Sequence, residues 1–411
     1  MNSFGLKASF VFGFLFSLSS VALAETTPLS QARNAFASDL YGVLSREKGN
    51  RVVSPYSISE ALSMTFLGAQ GETEKEMEKA LRLDSLGSKE LPVQQALVQQ
   101  RAQQKWNGQN LPGGAELRIA NALWGEKTFH FNPVYVAAVK DGFAGNLESV
   151  DFNDELATRG KINDWVAEKT NFKIKELIGR GTLNESTRLV LTNAIYFKAD
   201  WLSPFKKSST RTADFTLETG HKIPANFMQQ THTFDLASLD GFRLLVLPYK
   251  GLSVSMLVLL PNSSGGLPDV ERRLTPERLT QWLEKCRPTE VDVSLPRFKA
   301  SSTMGLQSPL EELGMKTAFV GGRADFSSML AVPDKSLYIS SVLHKAYVAV
   351  DEDGTEAAAA TAVTMQLTSM PVPSSSEIFK ADHPFLYVIR ANETGDILFI
   401  GRLADPSLPA E

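Results

Sequence analysis

An α+β fold in a single domain is predicted by this sequence, and three features point to it. Helix-period patterns crowd the first half of the chain and β-rich runs crowd the second. The strands come as hairpins and isolated runs, not as regular βαβ repeats. No Pro/Gly/Ser-rich linker, charge block or internal repeat divides the 411 residues, although length alone would admit two or three domains.

The chain opens with one positive charge, Lys7, and an apolar run from Phe10 to Leu23 that closes in Ala22-Leu23-Ala24. That is the pattern of a secretory signal peptide. The run is shorter than the roughly 20 residues of a membrane-spanning helix. Residues 1–24 are therefore expected to be removed, and the mature chain, 25–411, to be secreted to the periplasm or the extracellular space. Ser30 to Ser45 has helical period, with Phe36, Leu40, Tyr41 and Leu44 on one face. Arg51 to Met64 reads as a strand entering a helix, with Ser54 as its cap and Pro55 in its first turn. Gly68-Ala69-Gln70-Gly71 interrupts the chain, and Thr73 with Glu76 forms a capping-box candidate for a helix running to Leu83. Leu117 to Trp124 is a strand and Val134 to Phe143 a helix. Lys161 to Ile178 is a helix followed by a turn, and Arg188 to Phe205 a long apolar strand ending in a turn. Phe242 to Tyr249 and Leu252 to Pro261 are β-rich runs joined at Lys250-Gly251, a hairpin signal. Val291 to Phe298 is a strand, Ser308 to Met315 a short helix with Gly314 near its end, and Leu337 to Val350 a strand. Phe385 to Ile389 and Ile397 to Leu403 form a buried hairpin around Asn392-Glu393-Thr394-Gly395.

Composition excludes several functions. A formal net charge of -4 argues against general nucleic-acid affinity, and past Leu23 no long apolar run suggests a membrane partner. Lys89, Arg101 and Lys105 are too sparse for a polyanion stripe and read as a solvated face. With Cys286 the one cysteine, no internal disulfide can form, so the core must hold the chain. Lys285 and Arg287 flank that thiol and could lower its pKa, but a structural or exposed cysteine is the plainer reading. The five histidines fall in no HExxH arrangement, and GxSxG, P-loop and GxGxxG patterns are absent. His221 and His232 are too far apart for a helical metal pair. No catalytic residue, metal or cofactor is expected.

One stretch stands apart: Asp351 to Met370, DEDGTEAAAATAVTMQLTSM. Its alanine run suits a helix. Its period-two reading suits a half-buried strand, with Thr355, Ala357, Ala359, Thr361, Val363 and Met365 on the core parity. Both remain open on periodicity alone. From Thr355 to Ala362 only Glu356 is bulky, and it sits on the solvent parity, so the segment could slide between two strands. Four further residues are polar within apolar surroundings: Ser54 and Ser57 at a helix start, and Asn193 and His344 inside strands. Such groups need partners when buried, which each could find locally.

Glu352-Asp353-Gly354-Thr355-Glu356-Ala357-Ala358-Ala359-Ala360-Thr361 resembles the reactive-loop hinge of inhibitory serpins. His383-Pro384-Phe385 with Phe399-Ile400-Gly401-Arg402-Leu403 is similar to that family's C-terminal strand pair. Ser54 to Ser59, Gly68 to Thr73, the Asn-x-Trp-Val segment at Asn163, and Thr192 to Phe205 resemble further family segments, so the likeness runs from about Asn34 to Pro406. The resemblance implies about nine helices around three β-sheets, with an exposed reactive loop over about 352–380 near the C-terminus.

It further implies a suicide-substrate inhibitor of serine proteases, not an enzyme. The target protease would cleave the loop and be trapped as a covalent acyl-enzyme while the loop inserts into the central sheet. Cysteine proteases are a further target class, and a monomer is expected. Ser54, Ser57, Asn193 and His344 match the family's shutter. Trp201, otherwise an ordinary core tryptophan, and Arg297, facing Glu352, match its breach. The hinge comprises Glu352, Gly354, Thr355, Glu356, Ala357, Ala358, Ala359 and Ala360. Counting seventeen residues with Glu352 as first places the reactive bond at Thr368-Ser369, with Leu367 and Met370 as alternatives. A threonine there suits an elastase-like pocket, and a shift to Leu367 a chymotrypsin- or subtilisin-like one. A non-inhibitory carrier or chaperone is the alternative within the family; bulky, charged or proline hinge residues would favour it, and none is present.

Overall fold

The computed structural model describes residues 26–86, 115–143, 145–355 and 376–409. The expected signal peptide, the Lys89 to Lys105 face and most of the expected reactive loop, including Glu356 to Ala360 and Leu367 to Met370, lie outside the described residues.

In chain order the N-terminal part holds α1 (Pro28–Leu44), β1 (Arg51–Val53), α2 (Pro55–Phe66) and α3 (Gly71–Ala80). Next come β2 (Glu116–Glu126), α4 (Pro133–Phe143), β3 (Asn146–Val150), α5 (Glu155–Lys169) and β4 (Leu189–Asp200). The strand-rich part holds β5 (Arg211–Thr216), β6 (Lys222–Leu239), β7 (Phe242–Pro248), β8 (Val254–Pro261), α6 (Leu267–Arg273) and α7 (Pro276–Leu283). It continues with β9 (Arg287–Pro296), β10 (Phe298–Gly305), α8 (Gln307–Glu312), β11 (Ile339–Val350) and β12 (Gly354–Thr355). It closes with β13 (Glu377–Lys380), β14 (Phe385–Ala391) and β15 (Ile397–Leu403).

The strands pair into a six-stranded sheet, order β10-β11-β12-β4-β2-β3, and a nine-stranded one. The latter follows β1-β15-β14-β8-β7-β6-β9-β13, with β5 on β6. The α+β architecture stands, with eight α-helices among the described residues. The three sheets expected emerge as two continuous paths because β6 is 18 residues long. Its first third pairs with β5, its middle with β9 and its end with β7, so it carries one sheet into the next.

Three layers of core explain the patterns in the chain. Ile195, Phe197 and Ala199 of β4 face Phe227, Val293 and Tyr387 of the other sheet. Val190 and Ala194 point the opposite way, onto Ile162 and Val166 of α5. A strand covered on both faces reads as a continuous apolar run, as this one does. The periodic face of α1, from Phe36 to Leu44, packs with Val388 and Ile400 on the far side of the nine-stranded sheet.

Two local expectations are corrected. The run from Val291 to Phe298 is two strands in two sheets. Pro296 has no N–H for the ladder, and the Arg297 N–H leaves it to bond the Asn226 carbonyl at 2.8 Å. Thr73 and Glu76 do not form a capping box; the N-cap of α3, Gln70, makes no side-chain cap bond. Thr73 Oγ1 instead accepts the Asp325 N–H at 3.0 Å. The Glu76 carboxylate accepts the N–H groups of Lys316 (2.8 Å) and Thr317 (2.5 Å) and the Thr317 hydroxyl (2.8 Å). The pair clamps a remote loop onto α3. Glu76→Ala should therefore cost roughly 1–3 kcal/mol, the scale of part-buried donors left unpaired, with Glu76→Gln milder. Urea unfolding checks this; an unchanged midpoint for the alanine variant would remove the clamp from the stability of the fold.

Candidate functional site

The polar residues singled out in the sequence meet beneath the six-stranded sheet. His344 of β11 and Asn193 of β4 are direct partners across a parallel pair that runs from Ile339 and Leu189 to Tyr347 and Tyr196. Ser54, the N-cap of α2, accepts the Ser57 N–H on its side chain at 3.2 Å. Its own N–H donates to His344 Nε2 at 3.2 Å. An accepting Nε2 leaves the proton on Nδ1, which donates to Asn193 Oδ1. Asn193 Nδ2 in turn donates to Ser57 Oγ and Asn121 Oδ1. Asn121, opposite Asn193 on β2, also donates from Nδ2 to the Ser57 carbonyl at 3.2 Å. His344, Asn193, Ser54 and Ser57 have no exposed surface, so the network must satisfy itself. Burial drives the His344 pKa down to about 3, which keeps the ring neutral. Asn121 was not among the expected residues, although an Asn inside an apolar strand is the signal that marked Asn193.

A second assembly sits where the two parallel strands end. After Val350 the chain makes a tight turn: the Asp351 N–H donates to the Gly354 carbonyl at 2.9 Å. The Asp351 carboxylate accepts the N–H groups of Asp353 (3.0 Å) and Gly354 (3.3 Å). Burial lifts the Asp351 carboxyl above its usual range. The chain then turns back as β12, antiparallel to β11 through Val350 and Thr355 and to β4 through Gly354 with Asp200 and Thr355 with Ala199. A Cβ at position 354 would lie 2.1 Å from the Ala199 carbonyl oxygen, so only glycine lets the chain enter this gap.

Thr355 is fully buried, on the core parity expected, and its hydroxyl bonds the Tyr249 hydroxyl at 2.6 Å. Tyr249 stacks on Trp201 with centroids 4.5 Å apart. The Trp201 indole N–H donates to the Asp351 carbonyl at 3.0 Å, and its backbone N–H to the Asp353 carbonyl at 2.9 Å. The Glu352 carboxylate is buried. It sits 3.1 Å from Arg297 Nε and accepts the Thr210 hydroxyl at 2.5 Å. Lys207 pairs with Asp353 at 2.7 Å in a more exposed position. The structure thus gathers Trp201, Arg297, Glu352, Gly354 and Thr355. It adds Tyr249, Thr210 and Lys207, which carried no local signal, being brought in by the end of β7 and by the segment between β4 and β5.

Cys286 fits the plainer reading of a structural cysteine. Burial pushes its thiol up to about 12, aided by Asp235 and opposed by Arg287, so desolvation outweighs the flanking cations.

Residues 31–406 match the family model described as Serpin (serine protease inhibitor). This chain belongs to the serpin family. Leukocyte elastase inhibitor from Sus scrofa is 41% identical over 390 residues, spanning 92% of this serpin and 99% of that protein. Serpin B3 from Homo sapiens is 41% identical over 392 residues with the same coverage. Among solved structures, the highly specific serpin of the insect Tenebrio molitor, Serpin48, superposes with a TM-score of 0.79 at 30% identity, covering 92% of this serpin and 98% of that chain. Among the described residues of this serpin no helix is long and apolar enough to cross a membrane.

The polar cluster makes stability pH-dependent. The folded His344 pKa, about 3, lies below the unfolded value of about 6.5. The unfolded chain therefore binds the proton first as pH falls. Stability from the neutral ring is complete above that unfolded value. It is lost at about 1.4 kcal/mol per pH unit as pH falls from there towards the folded one. Urea unfolding between neutral and mildly acidic pH should show a flatter profile for His344→Gln than for the native chain. Parallel profiles would show that His344 does not titrate on unfolding.

Proposed function

We propose that this serpin is a secreted suicide-substrate inhibitor of serine proteases that traps its target as a covalent acyl-enzyme by inserting the cleaved loop into the six-stranded sheet. Cleavage of residues 1–24 and export of the 25–411 chain belong to the same proposal. The observation that carries it is β12, which already stands between the ends of β4 and β11 as the first two residues of an added strand.

Extending both registers downward tests the geometry. Continued along β4, Met365 would face Leu189; continued along β11, Gln366 would face Ile339. The strand from Gly354 to Gln366 therefore fills the full length of both neighbours. Both registers also bring Thr361 to one level, opposite Asn193 on one side and His344 on the other. Insertion parts those two side chains, and a hydroxyl arrives between them to take over their bond. The small hinge residues, Ala357 to Ala360, let the strand enter quickly. From Thr355 to Thr368 about 14 residues at roughly 3.3 Å each span about 46 Å. An ester-linked protease would be carried that far before deacylation. The uninserted state is then held by a kinetic barrier.

The reactive bond assigned is Thr368-Ser369, with Leu367 and Met370 as neighbouring alternatives. No Arg or Lys lies between Asp353 and Glu377, which disfavours trypsin-like pockets. A β-branched threonine suits a shallow one, and relatives bearing the name leukocyte elastase inhibitor support an elastase-like target. Chymotrypsin- or subtilisin-like serine proteases are next, and cysteine proteases a further class.

Incubation with an elastase should yield a detergent-stable covalent complex and a released fragment beginning at Ser369. Thr355→Arg must bury a charge on the core parity, at several kcal/mol. It should turn the inhibitor into a substrate, with cleaved chain replacing the complex on denaturing gels. Persistence of stoichiometric complexes in that variant would refute insertion. Thr361→Val should still be cleaved. Its nicked form should be less stable by roughly 1–3 kcal/mol than nicked native chain, because His344 and Asn193 are left without a polar partner. Equal melting of the two nicked proteins would reject the register.

A further inference from the structure

A cavity of about 410 Å³ lies at the C-terminal end of α1, away from the hinge and the polar cluster. Its walls come from that helix end, the loop leading to β1, α6 and the end of β15, and they include the apolar Leu267, Pro384 and Ala404. Arg402, which lines it, is only 6% exposed. It makes four hydrogen bonds: Nε bonds the Gly49 carbonyl at 2.8 Å, and Nη1 bonds the Ser45 carbonyl at 3.0 Å and both Glu271 oxygens at 3.2 Å. The Tyr41 hydroxyl donates to the same Glu271 carboxylate at 2.7 Å. Arg402 Nη2 is buried with no hydrogen-bond partner.

The rim of the cavity is cationic. Arg46, Lys48 and Arg272 line it, against the single further carboxylate of Glu218. Each rim cation is tied only to an exposed acid: Arg46 to Glu312, Lys48 to Glu218 and Arg272 to Asp269. Such exposed pairs are weak and exchange partners readily. Apolar walls, a buried donor left over and flexible cations at the mouth are the features of a small-molecule site with a few convergent polar groups.

We propose that this cavity binds a small organic acid. Its carboxylate would accept from Arg402 Nη2 in a charge-assisted hydrogen bond. Its apolar body would lie against Leu267 and Pro384, and the rim lysine and arginines would draw it in. The site needs both parts of the ligand: the charge for Arg402, the apolar body for the walls.

Calorimetric titration of the full chain with 2-naphthoate, its neutral analogue 2-naphthamide, and inorganic phosphate tests this. Saturable binding of 2-naphthoate is expected, at least about tenfold tighter than either of the others. Replacing Arg402 would strand buried Glu271 and endanger the fold, so other variants carry the test. The rim double variant K48E/R272E should weaken 2-naphthoate about tenfold, and Ala404→Phe, which fills the cavity, should abolish its binding, both with native-like unfolding midpoints. Equal affinity for acid and amide, equal affinity for phosphate, absence of saturable binding, or indifference to both variants would each overturn the proposal.

Discussion

The parallel pairing of β4 with β11 is the contact on which the rest of the molecule depends. It lies near the middle of the six-stranded sheet, with apolar layers packed on both faces. Such a pair would ordinarily be sealed by apolar side chains alone. Here its midpoint is the His344–Asn193 hydrogen bond, anchored below by Ser54 and Ser57 of α2 and sideways by Asn121 of β2. A buried polar network is stable only while every member has a partner. Parting the strands therefore carries a desolvation penalty unless another polar group takes the vacated place.

The upper end of the same pair is held by different chemistry. Trp201 and Tyr249 form a stacked platform, and the turn from Asp351 to Gly354 is tied to it through backbone carbonyls. The bond between the Thr355 and Tyr249 hydroxyls holds β12 against that platform. Glu352 is the asymmetric member: its carboxylate is 1% exposed while Arg297 is 46% exposed. Removing Arg297 would strand a buried charge, whereas the attraction itself is partly screened by solvent at the arginine. The pair therefore acts more as a constraint on the turn than as a source of net stability.

Much of this was legible from single residues. The alternation that begins at Thr355 offered a strand parity beside a helical reading, and Thr355, the described residue of that set, does point into the core. Pro55 after Ser54 predicted the start of α2 correctly. Local signals failed where a side chain found a remote partner. Thr73 and Glu76 have capping-box spacing, yet both reach a loop some 240 residues away in sequence. Val291 to Phe298 looked like one strand because hydrophobicity does not register the missing N–H of Pro296 as a change of sheet. The cations flanking Cys286 left a lowered pKa open beside the plainer structural reading, and burial, which no neighbour in sequence reveals, decides for the latter.

The motifs of the sequence carried the family likeness. The sequence by itself also determined the α+β class, most strand and helix positions, and four of the five polar residues that had to be paired. Those follow from periodicity, capping chemistry and the cost of burying an unpaired polar group, all of which act over a few residues. Only the tertiary structure decided who pairs with whom. Asn121 joined the cluster because β2 sits beside β4 in one particular register. Thr210 and Tyr249 reached Glu352 and Thr355 because the segments that follow β4 and β7 end at the same point. Gly354 became indispensable because a carbonyl of β4 passes where its Cβ would be. Each is a contact between segments far apart in sequence, set by strand order and register, which a local pattern of residues does not encode.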